Sequence, residues 1–189
     1  MDIKSEKCIN CILDKSIPGI KFDNDGVCSL CKLHKKLDKD FPININGSEL
    51  NELIEKIKYK GKNKKYNCVV GVSGGTDSSY TLYMAKKLGL RPLAVHFDNG
   101  WNTELSVSNI YNLLKKLNVD LQTYVVDWEE FKDIQLSFLK ASVPDAEQPT
   151  DLGIVSVLYR IASENKIKYI LNGVSFRTEG NIPAGWGYV

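Results

Sequence analysis

Cys68-Val69-Val70-Gly71-Val72-Ser73-Gly74-Gly75-Thr76-Asp77-Ser78-Ser79 sets the architecture of this 189-residue chain. The continuous apolar run over 68–72 reads as a strand buried on both faces. Ser78–Leu88 reads as a helix, with Gly89 just beyond its end. A strand that delivers a glycine-rich turn to a helix N-terminus builds an anion site. Glycines let the backbone approach the anion closely, and the first helical turn offers unpaired N–H groups. Ser73, Ser78 and Ser79 add hydroxyl donors. No Gly-Lys-Ser/Thr follows at Walker A spacing, and the pattern is not G-x-G-x-x-G. The missing lysine argues against ordinary γ-phosphoryl transfer.

Strands and helices alternate through the rest of the chain. Pro92–Phe97 and Leu121–Val126 read as the second and third strands, and Lys168–Leu171 as the fourth. Between them, Thr103–Leu117, Trp128–Ala141 and Thr150–Asn165 read as helices, with Asn118 as a stop. This order implies an open parallel α/β sheet with helices on both faces. Ligands of such sheets sit at the carboxyl ends of the strands. The second strand runs out at Asp98-Asn99-Gly100, which reads equally as a polar ligand contact or a plain turn. His96, inside that strand, reads as a packed side chain. The fourth ends at Asn172-Gly173, followed by Arg177 and Glu179. Arg177 suits phosphate charge and Glu179 suits magnesium or a substrate amine, and each also suits a plain surface charge. Asp145, Glu147 and Asp151 form an acidic loop between helices, which reads either as a substrate or metal contact or, for Asp151, as a plain helix cap.

Ahead of the sheet lie two further regions. Cys8-x-x-Cys11 and Cys28-x-x-Cys31 are separated by 16 residues, the spacing of a four-cysteine zinc site. Four thiolates around Zn2+ make a closed structural site, and metal binding supplies folding free energy that a short segment lacks. Free thiols or an iron–sulfur cluster are the alternatives, and His34 is a less favoured ligand. Cys68 reads as inert packing. Residues 1–40 are therefore a zinc ribbon, 41–66 a helix and linker, and 67–189 the sheet domain. The helix falls near Ser48–Lys58, with Ser48 as its N-cap and Leu50, Leu53, Ile54 and Ile57 on one face. Lys60-Gly61-Lys62-Asn63-Lys64-Lys65 reads as a solvated linker rather than a phosphate or RNA contact.

Composition bounds the function. Hydrophobic residues are 43% and charged residues 25%, ordinary for a soluble globular protein. A net charge of +2 does not indicate a general nucleic-acid surface. The first 66 residues carry 14 Lys against 10 Asp and Glu, so the charge is uneven. No apolar run approaches the roughly 20 residues that span a bilayer. With no visible signal peptide, the expected setting is the cytoplasm, where paired cysteines favour metal over disulfide.

Ser-Gly-Gly-x-Asp-Ser after a strand resembles the signature of the PP-loop ATP pyrophosphatases. The resemblance implies that Gly71, Ser73, Gly74, Gly75, Thr76, Asp77, Ser78 and Ser79 hold ATP. Pyrophosphate leaves and AMP goes onto the substrate. It implies that Asp77 supports the magnesium–pyrophosphate complex, with Ser73, Arg177 and Glu179 as further catalytic candidates. Phe97, Asp98 and Gly173 would line the nucleotide pocket.

The stretches Cys8-Ile9-Asn10-Cys11-Ile12-Leu13-Asp14, His96-Phe97-Asp98-Asn99-Gly100-Trp101-Asn102, Phe138–Asp145 and Thr178-Glu179-Gly180 are similar to the N-acetyl sugar amidotransferases of surface-sugar biosynthesis. That resemblance implies ATP, Mg2+ and structural Zn2+ as cofactors. An N-acetyl sugar or nucleotide sugar would become an acetamidino sugar. Ammonia would come from a partner glutamine amidotransferase subunit, with neither membrane nor nucleic acid involved. Members of that family are longer than this chain, so an incomplete C-terminal part is expected. The competing expectations are a tRNA-thiolating PP-loop enzyme, or a non-catalytic zinc- and ATP-binding fragment.

Overall fold

The computed structural model describes residues 7–43, 47–143 and 145–179, which fall into two compact units. The larger unit spans Gly47–Gly173. It contains four parallel strands: β1 (Cys68–Gly71), β2 (Pro92–Asp98), β3 (Leu121–Val125) and β4 (Ile170–Leu171). Their order across the sheet is β3-β2-β1-β4. Val69 pairs with Leu93 on one side and Ile170 on the other, so β1 is central. The chain steps from β1 outward to β2 and β3, then crosses back to β4 on the opposite side. The tip of β1 is thus the topological switch point, where open parallel sheets bind ligands.

Five helices of this unit cover the sheet: α2 (Ser48–Lys60), α3 (Thr76–Lys87), α4 (Glu104–Leu117), α5 (Trp128–Lys140) and α6 (Gln148–Glu164). One face buries Cys68, Val70, Val72 and Ala94 against Leu82 and Ala85 of α3, Ile110 and Leu114 of α4, and Ile54 and Ile57 of α2. The other buries Val69, Leu93 and Val95 against Val157, Leu158, Ile161 and Ala162 of α6. Strand side chains alternate between faces, and β1 feeds both cores, which explains its unbroken apolar run. Ile57 and Leu82 have no exposed surface. Burying each is worth about 1.5–3 kcal/mol.

Several sequence expectations shift. The helix expected near Ser48–Lys58 is α2, and it belongs to the sheet unit and donates Ile54 and Ile57 to its core. Its N-cap is Gly47, in a left-handed conformation (φ 63°), and Ser48 is the first helical residue. Asn118 stops α4 as expected, in the left-handed region at φ 49°. Asp151 sits inside the first turn of α6, whose N-cap is Glu147.

The smaller unit holds the paired cysteines. An antiparallel bridge joins Lys7 to Asp14 and another joins Phe22 to Cys28, making two short turns. The chain then enters α1 (Ser29–Asp40), a helix within the segment assigned to the zinc ribbon that the sequence analysis does not predict. Cys28 caps it, its Sγ accepting from the Cys31 N–H at 3.4 Å. Residues 174–179 join this unit. Phe176 packs its ring near His34 and Phe41, with centroids 5.9 and 6.1 Å apart.

Candidate functional site

The glycine loop leaves β1 at Val72, whose N–H donates to the Val95 carbonyl at 2.8 Å. Beyond that bond the backbone has no strand partner, and the loop organises itself through serines. The Ser73 N–H donates to Ser78 Oγ at 3.2 Å, and the two hydroxyls lie 3.1 Å apart. Ser78 Oγ also donates to the Gly75 carbonyl at 3.3 Å. These bonds curl the loop over the first turn of α3. Gly75, the N-cap, is extended and offers no side chain to the turn above it. The leading N–H groups of α3 therefore face outward at the positive end of the helix, where an anion is stabilised.

Gly74 has a specific reason to be glycine. Its φ is +78°, and a Cβ there would lie 2.3 Å from the Ser106 carbonyl oxygen. Asn109 Nδ2, one turn further along α4, donates to the Gly74 carbonyl at 3.1 Å. Ser106 and Asn109 brace the loop from outside, and the sequence reading did not single them out. The available signal was Thr103, which caps α4 by accepting from the Ser106 N–H and so fixes that first turn.

Of the other candidates, Gly173 comes close to the loop. A Cβ on Gly173 would lie 3.0 Å from the Asp77 carbonyl carbon, so the end of β4 abuts the start of α3. Thr76 and Asp77 are exposed in that first turn, and Asp77 accepts from Thr81 Oγ1 through its backbone carbonyl. Gly71 at the end of β1 packs against Leu158, and Ser79 donates its N–H to the Gly75 carbonyl.

Phe97 and Asp98 point to opposite faces of β2. Phe97 stacks on Tyr124 at 6.2 Å and meets Phe131 edge-on. Asp98 Oδ1 accepts from the Gly100 N–H at 3.1 Å and from Asn102 Nδ2 at 2.7 Å, which makes it a turn former. His96 is buried, with Nδ1 2.9 Å from the Val72 carbonyl, so it is a packed side chain.

Arg177 lies in the cysteine unit. Its guanidinium pairs with Asp38 at 2.9 Å, donates to the Phe41 carbonyl at 2.7 Å and stacks over Phe176. Glu179 is exposed in the same unit. Pro144 and Gly180 lie outside the described residues. Burial first, then the charges of Asp145 and Glu147, push the Asp151 carboxyl above the usual carboxylate range.

The sulfurs of Cys8, Cys11, Cys28 and Cys31 all lie within 4.8 Å of one another. Cys8 and Cys31 are 3.8 Å apart, and Cys11 and Cys28 are 3.7 Å apart. Four sulfurs about 2.3 Å from a tetrahedral zinc would sit about 3.8 Å apart, so the cluster fits the ion. Burial alone would push the Cys8 thiol up. Backbone N–H groups of Cys28 and Asn10 outweigh it and hold Cys8 at about 6. Burial pushes Cys31 up. His34 is instead 3.1 Å from Asp38.

Comparison with known proteins agrees with this geometry. The profile of the family described as Queuosine biosynthesis protein QueC matches residues 67–169, from the start of β1 to just before β4. An uncharacterized protein of Methanocaldococcus jannaschii is 27% identical over 172 residues, 88% of this chain and 58% of its own length. The 7-cyano-7-deazaguanine synthase of Sulfurimonas denitrificans is 31% identical over 127 residues, 60% of this chain and 55% of its own. The chain thus spans little more than half the length of these relatives. A solved glutamine-dependent NAD+ synthetase from Acinetobacter baumannii, in complex with ADP, superposes with a TM-score of 0.52. It covers 85% of this chain and 31% of its own at 16% identity, which is a likeness of fold. Among the described residues, no helix is long and apolar enough to cross a membrane. With the profile matching more than half of the chain across the strand, glycine loop and helix described above, this protein belongs to the QueC family of PP-loop ATP pyrophosphatases.

Proposed function

We propose that this chain transfers the adenylyl group of ATP to an oxygen of its acceptor, releasing pyrophosphate, and that ammonia then displaces AMP. The observation that carries this reading is the lysine-free loop at the switch point. Serine hydroxyls and the open first turn of α3 offer donors to two phosphates, with no lysine to follow a migrating γ-phosphoryl group. Donors fixed before the reaction stabilise the charge that develops on departing pyrophosphate. Asp77, exposed in that turn, would hold magnesium there, and the ion would supply neutralising charge. Adenylation converts a poor leaving oxygen into a good one.

The acceptor in this reading is the acetamido oxygen of an N-acetyl sugar or nucleotide sugar, which becomes an acetamidino group. Ammonia comes from a separate glutaminase subunit in the cytoplasm. Among the described residues, four of the five cysteines are gathered in one cluster and the fifth is buried. This supports an ammonia source other than these five thiols. The family match begins at residue 67, so the cysteine unit lies outside it. Arg177, suited to phosphate charge, and Glu179, suited to magnesium or a substrate amine, are further proposed contributors to the reaction.

A second reading takes its acceptor from the name of the Sulfurimonas relative. It would be a 7-deazaguanine bearing an acid-level carbon, the oxidation state of a nitrile. One assay separates the two. The protein is incubated with ATP, magnesium and ammonium plus either UDP-N-acetyl sugars or 7-deazaguanine acids. Nucleotide products and acceptor masses are then recorded. Equal amounts of AMP and pyrophosphate, with a sugar lighter by the difference between O and NH, support the first reading. Product only from the deazaguanine supports the second, and ADP in either arm overturns both.

A further inference from the structure

A second polar recess lies at the other end of the sheet. Asn67 immediately precedes β1. Its backbone N–H donates to the Arg91 carbonyl at 3.0 Å, and its Oδ1 accepts from the Arg91 backbone N–H at 2.8 Å. The second bond settles the amide orientation, because a flip would set NH2 against N–H. Nδ2 is thereby a donor, it is buried, and it has no partner among the described residues. Asn67 as a whole is 3% exposed. A buried donor left unpaired is costly, and its presence calls for an acceptor.

Asn67 lines a recess of about 10 Å3 together with Lys60, Lys64 and Lys168. That is room for one water-sized group. Gly61 closes one side, since a Cβ there would lie 2.2 Å from the Asn67 Cβ. No carboxylate lines the recess. The neighbouring carbonyls of Gly61 and Lys64 accept from Arg91 Nη2 at 2.6 and 3.1 Å. Lys64 Nζ itself donates to the Lys166 carbonyl. The Gly61 and Lys64 carbonyls are therefore engaged, while the Asn67 amide donor is unpartnered and Lys60 and Lys168 add positive charge to the lining. A cation would find no compensating charge. An oxyanion would set one oxygen against Nδ2 and leave the others to the lysines at the mouth.

We propose that this recess is a binding site for a phosphate-type oxyanion, separate from the glycine loop. It sits at the amino ends of the strands, and the loop sits at their carboxyl ends. At about 3.3 Å per residue, β1 puts roughly 15 Å between them. The site gives a role to Lys60 and Lys64 at the end of α2 and just beyond it, which the adenylation chemistry does not use. It stands independently of the acceptor and of the reaction proposed above.

The test is a titration of the full chain with inorganic phosphate at constant ionic strength, followed by side-chain and backbone amide NMR. The expected result is a saturable shift of the Asn67 side-chain amide and the Gly61 amide. Lys168→Gln, an exposed change that leaves the fold intact, weakens it several-fold, and Asn67→Asp abolishes it. Shifts confined to the amides of Ser73–Ser79 would mean that phosphate binds only the glycine loop. That result, or a response equalled by chloride, overturns the proposal and leaves a water in the recess. Dimethyl phosphate in a parallel arm identifies the source. Tighter inorganic phosphate assigns the site to a free anion, and tighter diester assigns it to a nucleic-acid backbone. Either order supports an oxyanion site.

Discussion

The Gly74 α-carbon faces the Ser106 carbonyl so closely that a methyl group between them would lie 2.3 Å from the oxygen. The first turn of α4 therefore fixes the height of the glycine loop above the sheet, and Asn109 holds the same peptide by its carbonyl.

Gly74→Ala consequently meets two penalties. Its φ of +78° disfavours any side chain, by about 1–2 kcal/mol, and the clash with Ser106 adds to that. The neighbouring Gly75→Ala meets only Ser73 Oγ, at 3.4 Å, which is an ordinary contact. Thermal melting should show a clear loss for Gly74→Ala and little change for Gly75→Ala. Equal losses would show that Ser106 does not constrain the loop.

The thiols should divide four to one. Burial pushes Cys68 up to about 12 and removes it from solvent, so it should resist alkylation at neutral pH. The four clustered thiols should be protected by metal and exposed by a chelator. Thiol counting with a disulfide reagent should give close to zero for the zinc-loaded protein and four after chelation. Five fast-reacting thiols in the folded chain would contradict the burial of Cys68.

Gly153 on α6 lies against Phe97, and an added Cβ would sit 2.5 Å from the ring Cζ. The ring is held by Tyr124 and Phe131, so it has little room to withdraw. Gly153→Ala should cost about 1–3 kcal/mol by overpacking. Phe97→Leu added to it should recover part of that loss, because the crowded ring atoms go. A double-mutant cycle in urea measures the coupling. Strict additivity would show that the two residues do not press on one another.

Asp151 supplies a pH test. A carboxyl raised in the folded state favours folding while protonated, and that contribution disappears as pH rises through the folded value. Asparagine is neutral throughout. Asp151→Asn should therefore melt higher than the parent at neutral pH and match it below pH 3.8. A variant that melts lower at neutral pH would show that the charge is favourable, as it would be with a cation bound beside it.

Most of the sheet unit was legible because its signals are local. The apolar run at 68–72, the left-handed stop at Asn118 and the strand–glycine–helix order each follow from a few adjacent residues. The zinc spacing was legible for the same reason, with paired cysteines 16 residues apart. Helix α1 was missed although its signal is local: Leu30, Leu33 and Leu37 stand at i, i+3 and i+7, a one-faced helical pattern that the cysteine spacing overshadowed. The partition of the loop after β4 was also hidden. Gly173 abuts Asp77, while Arg177 pairs with Asp38, across 139 positions of sequence. Pairings at that distance leave no periodic trace. Ser106 and Asn109 escaped notice because their role is to brace a backbone, and only the fold brings that backbone to them.

In the reading proposed above, the tip of β1 and the open turn of α3 grip the phosphates of ATP. Hydrogen exchange measured with and without saturating magnesium–ATP tests it most directly, since those leading amides have no helical partner and exchange freely without a ligand. Marked slowing is expected in the peptide covering Ser73–Ser79. Protection elsewhere in the sheet unit, with that peptide unchanged, would contradict it.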